Sequence, residues 1–250
     1  MAADTAAPLR IGIAGRDGRM GRAIAAILPE GTVLAGGIGR EGDFAGLVEI
    51  CDVVIDFTHA TAIGPHAGAI ALSGRPWVLG TTGGDAVDQA RVAEAAAHAP
   101  VVQAANFSPG VVLATHLAKL MAAALPAESY DAEIVEMHHR LKRDAPSGTA
   151  LALGRAVADG REMAFDAVRL RAREGETGPR PPGGIGFAAL RGGAIVGEHE
   201  LRFTSDTEQL AIVHRAFDRS VFAQGAIRAA IWAAGRTPGL YGMGDVLGLG

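Results

Sequence analysis

The sequence predicts an α/β protein in two parts: a doubly wound parallel sheet, and a second α+β domain with an open mixed sheet. Three observations carry this expectation. In the first hundred residues, short apolar runs alternate with Ala-rich helical stretches. The first run leads straight into a glycine-rich turn and then a helix. After Asn106 the pattern changes, and strands follow one another with few crossover helices between them. Strands that are apolar on both faces and separated by helices belong to a parallel sheet covered on both sides. Such crossovers are right-handed, which makes a Rossmann-like, doubly wound order the economical one.

In chain order, residues 9–14 (LRIGIA) read as the first strand, 20–28 as a helix and 32–38 as the second strand. Residues 52–57 (DVVIDF) form a third strand, 60–72 a helix, 77–79 a strand, 85–98 a helix and 101–104 a fifth strand. In the second part, a helix over about 110–125 precedes a partly alternating strand at 131–137. Ser147 then opens a helix to about residue 158. Residues 168–173, 186–190, 194–203 and 209–214 read as strands, which favours a mixed or antiparallel sheet. Between them EGETGPRPPGG, at 174–184, reads as a mobile loop rich in Gly and Pro. A last helix at about 221–234 carries the small apolar surface suited to the first sheet. The expected domains are therefore 1–108 with 219–250, and 109–218 between them.

Composition narrows the function. At about 150 residues per domain, 250 residues allow one large domain or two modest ones. A charged fraction of 20% beside 49% hydrophobic residues fits a soluble globular chain. The net charge of −4 argues against a dedicated nucleic-acid or anionic-membrane binder, which would carry a basic excess. The single cysteine, Cys51, excludes intrachain disulfides and multi-cysteine zinc sites and reads as a small core residue. A reducing, cytoplasmic setting follows. The first ten residues lack the apolar segment of a signal peptide. The longest apolar candidate, 111–124, is broken by His116 and Lys119, so no transmembrane span is expected.

Two stretches carry chemistry. Gly15, Arg16, Asp17, Gly18, Arg19, Met20 and Gly21 follow the first strand and open a helix. Glycines let the backbone approach a pyrophosphate, and a helix start offers free N–H groups. The spacing is GxxGxxG, one residue longer before Gly18 than the common form. The second strand ends at Gly39 with no carboxylate for a ribose, and Arg40 follows at once. A guanidinium there can pair with a 2′-phosphate, with Arg16 and Arg19 nearby. This tilts the cofactor toward NADPH, while Glu41 leaves a ribose contact, and so NADH, open. Gly80, Thr81 and Thr82 follow the fourth strand, and Ala105, Asn106 and Phe107 the fifth. Both lie at carboxyl ends of parallel strands, where ligands bind, and both equally fit plain turns.

The densest constellation is EMHHRLKRDAPSGT, from Glu136 to Thr149. His138 or His139 can donate a proton near neutral pH. Lys142 is one of only two lysines in an Arg-rich chain and can hold a carboxylate. Ser147 fits an N-cap, and Gly148 and Thr149 then offer first-turn N–H groups to an anion. These residues suit a small carboxylate substrate. Adjacent histidines on a strand point to opposite faces and no HExxH partner is present, so no metal is expected.

GRDGRMG, DFT at Asp56, GTTG at Gly80, ANFSPGV at Ala105 and above all EMHHRLKRDAPSGTAL resemble the 4-hydroxy-tetrahydrodipicolinate (dihydrodipicolinate) reductase family. RGGAIVGEHELRF at Arg191 and LYGMGDVLGL at Leu240 look like the same family. The resemblance implies a cytoplasmic homotetramer of the diaminopimelate and lysine pathway that uses NADPH or NADH on a small dicarboxylate substrate. It implies that His138 is the proton donor with Lys142 as its partner, and that His139, Gly148 and Thr149 bind substrate carboxylates. It places the cofactor on Gly15 to Met20, Gly80 to Thr82 and Ala105 to Phe107, and the tetramer interface on the open sheet. The chain departs from the family at Gly39, where many members have an acidic residue, and at Ala60, where DFTxP would have Pro. The short link from Arg40 to Cys51 is expected to hold only a turn where the family has a helix. Two rival readings remain: another two-domain oxidoreductase of amino-acid metabolism, and a non-catalytic dinucleotide sensor. Neither needs HHxxK joined to DAPSGT.

Overall fold

The computed structural model describes residues 7–171 and 173–249. Positions 1–6, on which most of the signal-peptide expectation rests, lie outside the described residues. So does Ala172 in the expected strand 168–173. The chain divides into two compact units. One runs through Pro109 and resumes at Ser220; the other runs from Gly110 to Arg219.

In the first unit, β1 (Leu9–Ala14), β2 (Thr32–Ile38), β3 (Val53–Asp56), β4 (Trp77–Leu79) and β5 (Pro100–Gln103) pair in parallel. A sixth strand that the sequence reading lacks, β10 (Gly239–Tyr241), pairs in parallel with β5. Gly-Leu-Tyr shows neither a period of two nor the buried apolar run that marks the equally short β4. The order is β10-β5-β4-β3-β1-β2, so the chain reverses direction across the sheet beside β1. Ligands bind at such a switch point, beyond the carboxyl ends of the strands. Helices α1 (Arg19–Ala26) and α8 (Ser220–Ala233) pack on each other. Between β2 and β5 run α2 (Phe44–Ile50), α3 (Ile63–Ser73) and α4 (Ala86–Ala96).

The turn expected between Arg40 and Cys51 is instead the helix α2. Asp43 caps it by accepting from the Gly46 N–H at 3.0 Å. Phe44, Leu47 and Val48, spaced i, i+3 and i+4, are its buried face. Cys51 follows, fully buried, in the same core as Trp77, Ile70 and Val54. α8 contributes Ala223, Ala226, Ala229 and Ala230, all without exposed surface, and packs along β3, β4 and β5.

In the second unit, α5 (Pro109–Ala124) leads to β6 (Asp131–His138), α6 (Gly148–Gly160) and the single turn α7 (Phe165–Val168). Then come β7 (Ile185–Arg191), β8 (Gly197–Thr204) and β9 (Gln209–Ala216). The sheet order is β7-β6-β8-β9, parallel between β6 and β7 and antiparallel elsewhere. The expected strand at 168–173 reduces to one bridge, Arg169 to Ile185, because the chain first turns through α7 to bury Phe165. The expected strand at 194–203 starts only at Gly197, after a turn in which Gly193 has φ +50°. Ala118, Ala122, Leu153 and Val157 cover one face of the sheet through Ile134, Leu201 and Phe203. The other face carries Met137, Leu190 and Val213, the last two about half exposed. Among the described residues, no helix is long and apolar enough to cross a membrane.

Candidate active site

The first site grows out of β1. After Ala14 the chain turns at Gly15, with φ +83°, and a side chain there would run into the Phe57 carbonyl. The turn is tied to β2, where the Ile38 carbonyl accepts from the N–H groups of Gly15 (3.0 Å) and Arg16 (2.9 Å). A side chain on Gly21 would meet the backbone of Gly15 and Arg16, so glycine lets α1 start against the loop. No side chain caps α1 at Gly18. A cleft of about 690 Å³ opens here, walled by Gly15, Asp17, Gly18, Arg40, Phe57 and His66, among others. A second cleft of about 320 Å³, also bordered by Gly18 and Phe57, is lined by Arg19, Met20, Gly80, Thr81 and Thr82. Ala105, Asn106 and Phe107 line neither. Phe107 is buried with its ring edge-on to Phe57, and Asn106 Oδ1 accepts from the Ser108 N–H.

Arg16 lies back across Gly37, where a Cβ would meet its side chain. Asp17 lies over Gly39: its Oδ2 is 2.6 Å from where a Cβ on Gly39 would stand. A carboxylate therefore occupies the end of β2 although the strand itself supplies none.

Behind the cleft, Asp56 has no exposed surface and is fully engaged. Its Oδ2 faces His66 Nδ1 at 2.7 Å and accepts from Trp77 Nε1 at 3.3 Å. Its Oδ1 accepts from the Thr58 hydroxyl at 2.7 Å and the Thr81 hydroxyl at 3.3 Å. Thr81 also accepts from the Thr58 N–H at 2.8 Å. Phe44 stacks on His66 at 3.7 Å between ring centroids. This buried network fixes the two loops after β3 and β4 against each other. The DFT and GTTG patterns contained its members, but His66 and Trp77 lie in other elements.

The second site grows out of β6. Its inward positions, Ala132, Ile134, Glu136 and His138, run from apolar to polar toward the carboxyl end. On β8, paired with it, Gly197, His199, Leu201 and Phe203 do the same in the reverse direction. His138 Nδ1 lies 2.6 Å from Glu136 Oε2. Arg191, at the end of β7, forks onto both oxygens of Glu136 at 2.9 and 2.8 Å. Ser147 caps α6 by accepting from the Ala150 N–H, and its own N–H donates to Glu136 Oε1 at 3.1 Å. Its hydroxyl also meets His199 Nε2 at 3.0 Å.

Burial pushes His138 below the ordinary histidine value, partly offset by Glu136. Burial, with His138 and His214 nearby, holds His199 at about 4. Burial alone would raise Glu136, but Arg191 and His138 together hold it below the usual carboxylate range.

Lys142 sits in the turn after β6 and holds both oxygens of the mostly exposed Asp144 at 2.8 Å. His139 follows His138 and leaves the strand. Gly148 and Thr149 are the first residues of α6. His138, Arg191 and the helix start thus gather around Glu136, and Lys142 lies within electrostatic reach of His138. Glu136, Arg191 and His199 all stand within the motifs of the sequence, which give none of them a role. The inward alternation on β6 was the available signal.

Comparison with known proteins covers both units. The family profile described as "Dihydrodipicolinate reductase, N-terminus" matches residues 9–107, and that described as "Dihydrodipicolinate reductase, C-terminus" matches 110–247. A 4-hydroxy-tetrahydrodipicolinate reductase of Acidiphilium cryptum is 59% identical over 97% of this chain and 99% of its own length. The chain belongs to the dihydrodipicolinate reductase family. It is an oxidoreductase on that ground. A second reductase of the family, from Gluconacetobacter diazotrophicus, is 55% identical over 96% of this chain and 98% of its own. Among solved structures, a dipicolinate-bound dihydrodipicolinate reductase from Paenisporosarcina sp. TG-14 superposes with TM-score 0.80. It covers 95% of this chain and 99% of that one at 24% identity, a likeness of fold. GenD2 of gentamicin A biosynthesis, solved with NAD, shares the fold at TM-score 0.58 and 13% identity, over 93% of this chain and 87% of that one.

Proposed function

We propose that the chain reduces 4-hydroxy-tetrahydrodipicolinate to tetrahydrodipicolinate, with loss of water, for diaminopimelate and lysine synthesis in the cytoplasm. The observation that carries this reading is His138, held by Glu136 at the end of β6 beside Lys142 and the capped start of α6. The first unit takes the dinucleotide and the second takes the substrate. The glycine cradle at Gly15 and Gly21 suits a pyrophosphate, because side chains there would fill it. When bound, the reduced nicotinamide supplies the hydride.

Hydride addition to the conjugated imine leaves enamine or carbanion character one carbon away. That carbon needs a proton, and His138 supplies it. The substrate carries two carboxylates. Lys142 takes one in exchange for Asp144, whose exposed carboxylate returns to water at small cost. The first-turn N–H groups of Gly148 and Thr149, with His139, receive the other.

For the cofactor, Arg40 in the wall of the first cleft favours the 2′-phosphate of NADPH, with Arg16 lying across Gly37 at the end of β2. Asp17 supports a second reading. Its carboxylate over Gly39 stands where a ribose 2′-hydroxyl would be read, which favours NADH. The family likeness further supports a homotetramer, closed through the sheet face that bears Met137, Leu190 and Val213.

The test is a coupled assay. Dihydrodipicolinate synthase generates the unstable substrate from pyruvate and aspartate semialdehyde, and oxidation is followed with NADPH and NADH separately. Rapid substrate-dependent oxidation is expected with at least one. A folded, cofactor-binding protein that oxidises neither would overturn the reading.

A further inference from the structure

Glu136 is 1% exposed, in the middle of a sheet face. A carboxylate buried so deeply persists as an anion only when every oxygen is satisfied. Oε2 faces His138 Nδ1 and accepts from Arg191 Nη1; Oε1 accepts from Arg191 Nη2 and the Ser147 N–H. Four nitrogens of three residues fill its acceptor sites, and they reach it from its own strand, from the end of β7 and from the start of α6. The carboxylate therefore has one orientation.

That orientation dictates the state of His138. An ionised carboxylate only accepts, so Nδ1 must carry a hydrogen in both the neutral and the charged ring. Nε2 is then the one nitrogen that gains and loses a proton. Its surroundings leave it room: Gly197, on the neighbouring strand, would place even a Cβ 3.0 Å from it.

We propose that Glu136, clamped by Arg191, is the positioning residue that locks His138 with its hydrogen on Nδ1 and makes Nε2 the nitrogen that delivers the proton. This rests on the reading of His138 as the proton donor. In the step, the Nε2–H bond breaks and its electron pair stays on Nε2. The enamine pair of the substrate forms the new C–H bond. The ring is left neutral with Nδ1–H still on Glu136, and Nε2 takes its next proton from water. Arg191 gives Glu136 too little basicity to take the Nδ1 proton itself, so the pair has one exit.

The charged and titratable groups around His138 are Glu136 on β6, Arg191 on β7, His199 on β8 and Lys142 in the following turn. Lys142 and Arg191 disfavour the charged ring, and His199 is neutral above its value of about 4. Glu136 is the member of this group that favours the imidazolium. Its removal therefore has a signature that a merely structural ion pair lacks.

The experiment uses the full chain with 15N-labelled histidine, the His138 signals assigned by loss in His138→Gln. In the wild type the neutral ring is expected to show a protonated Nδ1 and a bare Nε2. In Glu136→Gln the titration midpoint is expected to fall by a pH unit or more, and the neutral proton to move to Nε2. In the coupled assay the same variant is expected to lose 100-fold or more in kcat at neutral pH. Its KM for the cofactor should stay within twofold, and the basic limb of its pH profile should move toward acid. Glu136→Asp is expected to recover about tenfold of that loss.

A wild-type neutral ring protonated on Nε2 overturns the proposal by itself, even if Glu136→Gln fails to fold. So does a Glu136→Gln enzyme whose tautomer is unchanged and whose kcat falls equally at every pH. If His138→Gln keeps full turnover, the donor reading fails instead, and the nitrogen shifts still report whether Glu136 holds the ring.

Discussion

The glycine-loop cleft and the His138 site lie at comparable places, each beyond the carboxyl end of an inner strand. They are built from different material. The cleft is made mainly of backbone: Gly15 and Arg16 give their N–H groups to Ile38, and Gly21 admits the backbone of the loop. The His138 site is made of side chains, and its partners are distant in the chain. Arg191 is 55 residues from Glu136, and His199 is 52 from Ser147. A backbone site tolerates change wherever side chains point away. A side-chain site fails when any buried member is left unpaired.

The largest expected effect sharpens this contrast. His138→Gln should lower turnover by roughly 10²- to 10⁴-fold, the usual worth of a general acid, while cofactor Kd stays within twofold. Equal loss of both would show that the two sites are not separable in this way, and steady-state kinetics with fluorescence titration of cofactor will tell.

Next is acid lability, which should belong to the side-chain site. His199 is held at about 4 in the folded chain, against an ordinary value near 6.5. Between those values the unfolded chain binds more protons, so stability rises with pH from about 4 to 6.5 and is complete above it. The single group accounts for on the order of 3 kcal/mol. Urea midpoints at pH 7.5 and 4.5 should differ in the wild type and by clearly less in His199→Gln, the remainder belonging to His138 and His214, which burial also lowers. A variant that stays as acid-sensitive as the wild type would place the lability elsewhere.

Gly15→Val addresses the backbone site. Its positive φ costs a branched residue about 1–3 kcal/mol, and its side chain meets the Phe57 carbonyl. Cofactor binding should weaken at least tenfold while the His138 titration is unmoved. A shifted His138 signal would break the comparison.

The smallest effect separates the two cofactor readings. Arg40→Ala should weaken NADPH about tenfold, near 1.4 kcal/mol, and leave NADH within twofold. Asp17→Asn should do the reverse. Equal changes with both cofactors would remove Arg40 and Asp17 from the ribose end.

Several features were readable from local rules. The strand, glycine turn and helix of the first site follow one another within a few residues, and Ser147 sits directly before its helix. α2 was legible too, in Asp43 and the spacing of Phe44, Leu47 and Val48, although the length of the link suggested a turn. β10 was not, because Gly-Leu-Tyr, unlike the apolar Trp-Val-Leu of β4, carries no strand signal and takes its conformation from the edge of β5. The strand expected at 168–173 failed for the opposite reason: its apolar–basic alternation is a strand signal, but Val168 belongs to the turn α7 that buries Phe165.

At the candidate site the sequence by itself determined which residues are present and that His138 and Lys142 lie beside a helix start. It also determined that β6 alternates, and so that Glu136 and His138 share a face. Only the tertiary structure decided that this face is buried at Glu136, that Arg191 and His199 arrive there from β7 and β8, and that Asp17 covers Gly39. Periodicity and capping act within a turn or two of backbone. Ionisation state, tautomer and partner are set by whatever else folding brings within hydrogen-bond reach, and that depends on strand order and register.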